Sequence, residues 1–320
     1  HGLGTLMREQ KRFEEAEQAY RRAIEIDSDY VYSWHGLGTL MREQKRFGEA
    51  EQAYRRAIEI DSGDVYSWNN LGTLMRKQKR FNEAEQAYKR AIEIDPDKVY
   101  SWFVFGTFMI EQKRFDEAEQ AYKRAIETDP DYVYSWYGLG TLMIKQKRFK
   151  EAENAYKKAI NVKPKDAMAH NILAWFLYEK GEFDEAIILA QKSVGFLSEN
   201  NLHAVHTLAT LLIANNQWEE ASVYISSLFN KGNDEFFDKG WQDMLILFKE
   251  TVRTNRATEA LQLLDKTPYA ERWRPLREAL AAAAQGTSRY LNGVAPEVRQ
   301  PALVLLKQIA PKILENEKVK

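Results

Sequence analysis

The 320-residue chain carries 46 basic and 47 acidic residues, 44% hydrophobic residues and no cysteine. That balance excludes a disordered tail, gives no bulk attraction to nucleic acid or anionic membranes, and removes disulfides, thiolate metal sites and cysteine nucleophiles. The longest apolar stretches, such as Trp102–Phe105 and Ile172–Phe176, fall far short of a bilayer span.

The chain opens inside a repeat. Residues His1 to Phe13 recur word for word at His35 to Phe47, where Val31-Tyr32-Ser33-Trp34 precede them. The expectation is a fragment of a longer protein, with repeats or another domain upstream. Trp34, Trp68, Trp102 and Trp136 stand 34 residues apart, and Phe13, Phe47, Phe81, Phe115 and Phe149 keep the same step, as do Tyr20, Tyr54, Tyr88, Tyr122 and Tyr156. Such a period means one supersecondary unit stacked on copies of itself. A partial unit covers 1–30, and further units start near residues 31, 65, 99, 133, 167 and 202.

Each unit reads as two helices. Trp68, Leu71, Gly72, Leu74 and Met75 share one helical face; beyond the polar Gln78-Lys79-Arg80 turn, Phe81, Ala84, Tyr88, Ala91 and Ile92 share a face of the next. Asp95-Pro96-Asp97 then stops the second helix, because proline cannot continue it. Gly72 and Ala84 fall where the paired helices must approach closely. The segment Leu202–Glu235 fits with a slipped frame through Leu208, Ala209, Leu212, Trp218, Ala221, Ile225 and Leu228. Phe236–Thr267 is a weaker pair, with Leu247, Ala260 and Leu264 as its remnants. The tail Pro268–Lys320 is helical over Leu276–Ala284 and Ala302–Leu314, with prolines 275, 296, 301 and 311 setting helix starts or breaks.

Trp136, Leu139, Gly140, Met143, Ala152, Tyr156, Ala159 and Pro164 resemble the tetratricopeptide-repeat (TPR) signature. Methionine replaces the first signature tyrosine, and phenylalanine is the aromatic after the turn; both keep the site large and apolar. The match covers residues 1 to about 200. It implies an all-α fold, a right-handed α-α superhelical solenoid, with the array over 1–235 and a degenerate helix pair plus capping helices over 236–320. Near-identical copies also look similar to arrays of bacterial TPR proteins, some of which are fused to a nucleotide-binding switch, a protease or another effector.

In such a superhelix one arc of each leading helix resembles a concave, partner-binding groove. The second position of the unit is Tyr32, Tyr66, Tyr100 and Tyr134; the ninth is threonine, including Thr39 and Thr73. The fifth position varies through His35, Asn69, Phe103 and Tyr137, and Asn70 occupies a sixth. The twelfth passes from Arg8, Arg42 and Arg76 to Ile110 and Ile144. Tyrosine and arginine are common interface anchors, so the expected partner is a protein or peptide with acidic groups near residues 1–80 and apolar side chains near 100–180. The TPR subgroup that clamps chaperone carboxylates places lysine and asparagine where this chain has threonine and tyrosine, so a cochaperone role is not expected.

No catalytic motif or phosphate-cradling loop appears, and no enzyme activity or cofactor is expected of this segment. His203 and His206 stand at i, i+3, but a third ligand such as Glu179 would have to come from the preceding unit, and no metal site is expected; His170, in the place of the repeat tryptophan, reads as a packing residue. The Lys-Arg pairs at each turn, such as Lys45-Arg46, are flanked by acidic residues, so a nucleic-acid partner is not expected either. The leading reading is a cytoplasmic protein-interaction scaffold without membrane association. The sensor region of a larger enzyme or switch, and a self-assembling homo-oligomer, are the alternatives.

Overall fold

In the computed structural model, described over residues 1–196, 202–231, 245–266, 274–294 and 296–318, each 34-residue step becomes two helices joined by a tight turn. The pairs are α1 (Gly2–Glu9) with α2 (Phe13–Ile26), α3 (Val31–Glu43) with α4 (Phe47–Ile60), and α5 (Val65–Lys77) with α6 (Phe81–Ile94). Next come α7 (Val99–Glu111) with α8 (Phe115–Thr128), and α9 (Val133–Lys145) with α10 (Phe149–Val162). These ten helices make one compact unit, His1–Val162, and Lys163–Lys320 makes a second.

The turn within each pair is a Schellman motif built on a lysine. Lys45 sits in the left-handed region at φ 62°. The Arg46 N–H donates to the Met41 carbonyl at 2.8 Å and the Lys45 N–H to Arg42 at 3.2 Å, so two orphan carbonyls at the end of α3 gain partners. Lys11, Lys79, Lys113 and Lys147 repeat the geometry.

The second helix of the first four pairs ends on aspartate rather than on proline, while α10 is followed by Lys163. α6 stops at Ile94; Asp95 turns to an extended conformation and its carboxylate accepts the Asp97 N–H at 3.1 Å. Asp27 and Asp61 make the same turn in loops that contain no proline, with Asp29 and Gly63 as donors. The aspartate is therefore the common device, and proline merely fits the position after it. The repeat tryptophan closes this loop: the Trp34, Trp68, Trp102 and Trp136 indoles donate to the carbonyl six residues upstream at 2.8–3.0 Å.

Inside each pair the buried tyrosine fills the notch opposite a glycine. Tyr88 is fully buried, as is Ala84. A Cβ on Gly72 would lie 2.8 Å from the Tyr88 ring, so only glycine lets α5 approach α6 this closely. The phenol is satisfied by its own unit: Tyr54 donates to Thr39 Oγ1 and Tyr88 to Thr73 Oγ1, both at 3.2 Å. Helices α1, α3, α5, α7 and α9 touch one another in series, whereas the even-numbered helices make their main contacts with odd-numbered ones. The odd layer is therefore the tighter, inner layer of this unit.

Neighbouring pairs are clasped on the even layer by the arginine of each Lys-Arg turn. Arg46 holds Glu17 of the preceding unit and Glu49 of its own, each at 2.6 Å. Arg80 does the same with Glu51 and Glu83; Arg114 and Arg148 continue the series.

The second unit holds α11 (Ala167–Lys180), α12 (Phe183–Gly195), α13 (Leu202–Ala214), α14 (Trp218–Lys231), α15 over 245–253, and α16 (Ala257–Asp265). Beyond them lie α17 (Arg274–Gln285), a 3-10 turn (Ser288–Gly293), α18 (Pro296–Ile309) and α19 (Pro311–Lys318). The turn after α11, α13, α15 and α17 reuses the left-handed residue, now Gly181, Asn216, Asn255 and Gly286. Leu208, Ala209, Leu212, Ala221, Ile225, Leu228, Leu247, Ala260 and Leu264 are all buried in this unit. The expected starts at Phe236 and Pro268 lie outside the described residues. One expectation is corrected: Pro301 does not break the helix but sits inside α18. It falls at the sixth residue, near the helix start, where the missing N–H removes a single intrahelical bond.

Candidate functional site

The first unit's odd-numbered helices form its inner layer, and the side chains they leave uncovered give one repetitive face; the even-numbered helices, with their arginine clasps, give another. The second residue of each is a tyrosine. Tyr32, Tyr66, Tyr100 and Tyr134 are 55%, 48%, 36% and 46% exposed, while the serine that follows each is fully buried. Helical spacing explains the difference: consecutive residues point about 100° apart, so one faces the neighbouring helix and the other faces out.

Loop side chains join this row. Tyr30 packs against Tyr32 with ring centroids 5.5 Å apart, and Tyr132 against Tyr134 at 5.4 Å. Phe103 adds to the second cluster at 5.8 Å from Tyr132. Burial pushes the Tyr132 phenol up to about 12, with Tyr100, Tyr134 and Asp129 reinforcing it. Between the two clusters the loop residues are Asp64, which caps α5, and Lys98, whose Nζ donates to the Tyr66 hydroxyl at 2.6 Å and lies 4.4 Å from the ring centroid. Sequence reasoning missed Tyr30, Lys98 and Tyr132. Their signal was position: each immediately precedes the first residue of an odd-numbered helix.

The fifth and sixth positions are drawn into contacts between helices. His35 lies 3.3 Å from Ser67 Oγ through Nδ1 and 3.4 Å from the Asn70 amide nitrogen through Nε2. Burial pushes its imidazole below the usual range; Asp64 opposes that shift, and Arg8 and Arg42 add to it. Asn69 donates to Ser101 Oγ at 2.8 Å. The expectation that Thr39, Asn69 and Tyr137 line the surface is corrected, since all three are buried. Thr73 is half-buried, its hydroxyl engaged by Tyr88. Phe103, Ile110 and Ile144 are half-buried, as are His35, Asn70 and the three arginines.

Those arginines are not equivalent. Arg8 pairs with Glu43 at 2.7 Å and Arg76 with Glu111 at 3.6 Å. The corresponding neighbour of Arg42 is Lys77, and among the described residues Arg42 forms no ion pair within 4 Å. The row of cations near residues 1–80 is therefore locally neutralised at both ends and open at Arg42.

In the second unit, Tyr178 donates to Glu250 at 2.9 Å, and burial together with that bond raises its phenol well above the usual range. His206 is buried and His203 exposed. Among the described residues no group of three His, Cys, Asp or Glu side chains could hold a metal ion. His170 is buried, with Nδ1 2.9 Å from the Asp166 carbonyl. No helix among the described residues is long and apolar enough to cross a membrane.

Paired helices on a fixed step, stacked so that each contacts its neighbours, define a helical-repeat protein-interaction scaffold. Comparison with known proteins gives the family. The model of the cilia and flagella-associated protein 70 C-terminal domain matches residues 31–236, and the tetratricopeptide-repeat model matches residues 1–30. The chain thus belongs to the tetratricopeptide-repeat family, within the group described by that C-terminal domain. Among solved structures, yeast Tom70 is similar with a TM-score of 0.60 at 16% identity, covering 96% of this chain and 60% of its own. A tetratricopeptide repeat protein from Parabacteroides merdae has a TM-score of 0.56 at 17% identity, covering 76% and 95%. Pseudomonas aeruginosa pilF has 0.53 at 19%, covering 66% and 97%. At these identities the likeness concerns the fold. No curated protein sequence matches the chain.

Proposed function

We propose that the odd-helix face of the first unit is the docking surface of a scaffold, and that it receives an extended segment of a partner protein. The observation that carries this reading is the tyrosine row: four large aromatic side chains, one per repeat, held outward where burial would otherwise be favoured. Contacts with Tyr30, Lys98 and Tyr132 cover only part of these rings, and the exposed remainder supplies rigid contact area with little entropy to lose. The flanking chemistry gives the surface a direction. Arg42 offers an uncompensated cation at one end, and Phe103, Ile110 and Ile144 offer apolar area at the other.

Peptides selected from a random displayed library on the intact chain test this. A photo-crosslinking residue is placed at Tyr66 or Tyr100 on the odd layer, or at Lys89 or Lys123 on the outer side of α6 and α8. Selected peptides are expected to crosslink from the tyrosine positions. Crosslinks confined to Lys89 and Lys123 would sink the proposal.

A further inference from the structure

We infer that the even-helix layer of the first unit carries a second binding site, a recess between α8 and α10 that receives one aromatic side chain of a partner protein with an acidic residue beside it. The site shares no residue with the tyrosine row, and the inference does not rest on the docking reading above.

The recess has a volume of about 270 Å³ and a floor made by Trp136, Leu139, Met143 and Ala155. Drug-sized ligands occupy pockets of roughly 300–1,000 Å³, so this one is scaled to a single large side chain. Its rim departs from the repeat. Asn154 stands where Gln18, Gln52, Gln86 and Gln120 stand in the other units, and it is shorter by one methylene. The floor departs with it: Leu37, Leu71, Phe105 and Leu173 are buried, whereas their counterpart Leu139 is only half-buried. The Trp136 indole N–H is turned to the Pro130 carbonyl at 2.9 Å, which leaves its ring to the recess and its donor elsewhere. Such a floor takes an apolar group. The thioether of Met143 favours an aromatic one, since sulfur packs well against ring edges, and aromatic side chains are the usual anchors of protein interfaces.

Charge supplies the second half of the recognition. Glu119 is held by Arg148 and Lys123, and Glu151 by Arg148, so both rim carboxylates are matched. Lys158 is not. Its counterparts Arg22, Arg56, Arg90 and Arg124 each pair with a glutamate three residues on, at 2.8–3.6 Å. Asn161 replaces that glutamate, and among the described residues Lys158 forms no ion pair within 4 Å. Two changes thus meet in one place, an apolar floor left open and a cation released at its edge. A carboxylate next to the entering ring would take the place of the absent glutamate.

Methyl NMR of the intact chain, labelled at leucine and methionine, tests the inference by titration with blocked dipeptides. The probes are Phe-Asp, Phe-Lys and Ala-Asp, each acetylated and amidated. Phe-Asp is expected to shift Leu139 and Met143 saturably and to bind about threefold more tightly than Phe-Lys, the scale of a solvated ion pair. Ala-Asp should give no saturable shift. Asn154→Gln should weaken Phe-Asp about tenfold, as one extra methylene in an apolar pocket does. Asn161→Glu should abolish the preference for aspartate while keeping the phenylalanine-dependent shifts. Both variants carry residues that the other units already bear at these positions, and circular dichroism confirms their fold. No saturable shift with Phe-Asp, equal shifts with Ala-Asp, unchanged affinity in Asn154→Gln, or an aspartate preference that survives Asn161→Glu would each overturn the inference. Tyr66→Ala should leave the shifts unchanged; their loss would place the probe on the odd layer and overturn the second site. Because the two surfaces share no residue, failure here leaves the tyrosine row standing.

Discussion

The same substitution, glycine to alanine, is expected to act with opposite sign at two places in this chain. Gly48 is the second residue of α4, and a Cβ there would meet nothing within 4 Å. Gly48→Ala restricts the unfolded chain and improves helix propensity, worth about 0.5 kcal/mol so close to a helix end. Gly72 lies mid-way along α5, where the propensity gain alone would be about 1 kcal/mol. Its added Cβ, however, would fall 2.8, 2.9 and 3.1 Å from Tyr88 Cε1, Cδ1 and Cζ, against a comfortable separation of about 3.5–4.0 Å. Tyr88 is fully buried and tied to Thr73, so the ring cannot swing aside without losing that bond. Overpacking of this kind costs about 1–3 kcal/mol, and the net effect is a loss of about 1 kcal/mol. Urea unfolding followed by tryptophan fluorescence should place the two midpoints on opposite sides of the parent. Adding Tyr88→Phe to Gly72→Ala should recover part of the loss, because the freed ring can shift. A Gly72→Ala chain as stable as the parent would refute the close-approach argument.

The arginine clasps give a double-mutant cycle: Arg80→Ala and Glu51→Ala should couple by about 0.5–1 kcal/mol, and the coupling should shrink in concentrated salt because the pair is partly solvated. The clasped carboxylates also set the acid limit. Glu17, Glu51, Glu85 and Glu119 titrate below the usual range, chiefly through hydrogen bonds from Arg46, Arg80, Arg114 and Arg148. A folded pKa below the unfolded value of about 4.3 gives stability that is complete above that pH and is lost as pH falls through the folded value. The melting temperature should therefore fall from about pH 5 downward, and less steeply in Glu51→Gln. At the alkaline end burial pushes the Tyr122 phenol up to about 12. Its contribution is full below the unfolded value of about 10 and is lost as pH rises toward 12. Tyrosinate absorbance should lag in the folded chain and then rise together with loss of helical dichroism.

Much of the fold could be read from the residues because one unit is written several times. Period fixed the step, the spacing of Trp68, Leu71 and Met75 fixed the buried face of α5, and the close approach at Gly72 and Ala84 followed from size, though the ring that fills it, Tyr88, was not singled out. Two local devices escaped. Lysine gives no hint that it will adopt a left-handed conformation, so the Schellman turns at Lys11, Lys45, Lys79, Lys113 and Lys147 look in sequence like polar linkers. Proline in Asp95-Pro96-Asp97 drew attention from the aspartate that makes the turn even where proline is missing. The surface was harder, because position on a helical wheel does not say how far a neighbouring helix covers it. Asn69 and Tyr137 occupy the same place as His35 and Phe103, yet the first two are sealed and the last two are not.

The threonine and tyrosine rows show why repetition by itself does not mark a binding surface. Both recur on every early unit, and both were candidates for the same face. The threonines have a complete internal explanation: Thr39, Thr73 and Thr107 each meet the buried phenol of their own pair at 3.1–3.2 Å, and a buried hydroxyl without a partner would destabilise the fold by about 1–3 kcal/mol. Their recurrence follows from packing. The second-position tyrosines have only a partial account: Tyr32 packs on Tyr30, Tyr66 on Lys98 and Tyr134 on Tyr132, yet all four remain 36–55% exposed. The contacts these rings make with Tyr30, Lys98 and Tyr132 cover only part of each, and the rest of the apolar ring stays in water. What distinguishes the two rows is exposure: the threonine hydroxyls are engaged inside the fold, whereas each tyrosine keeps a third or more of its surface in solvent.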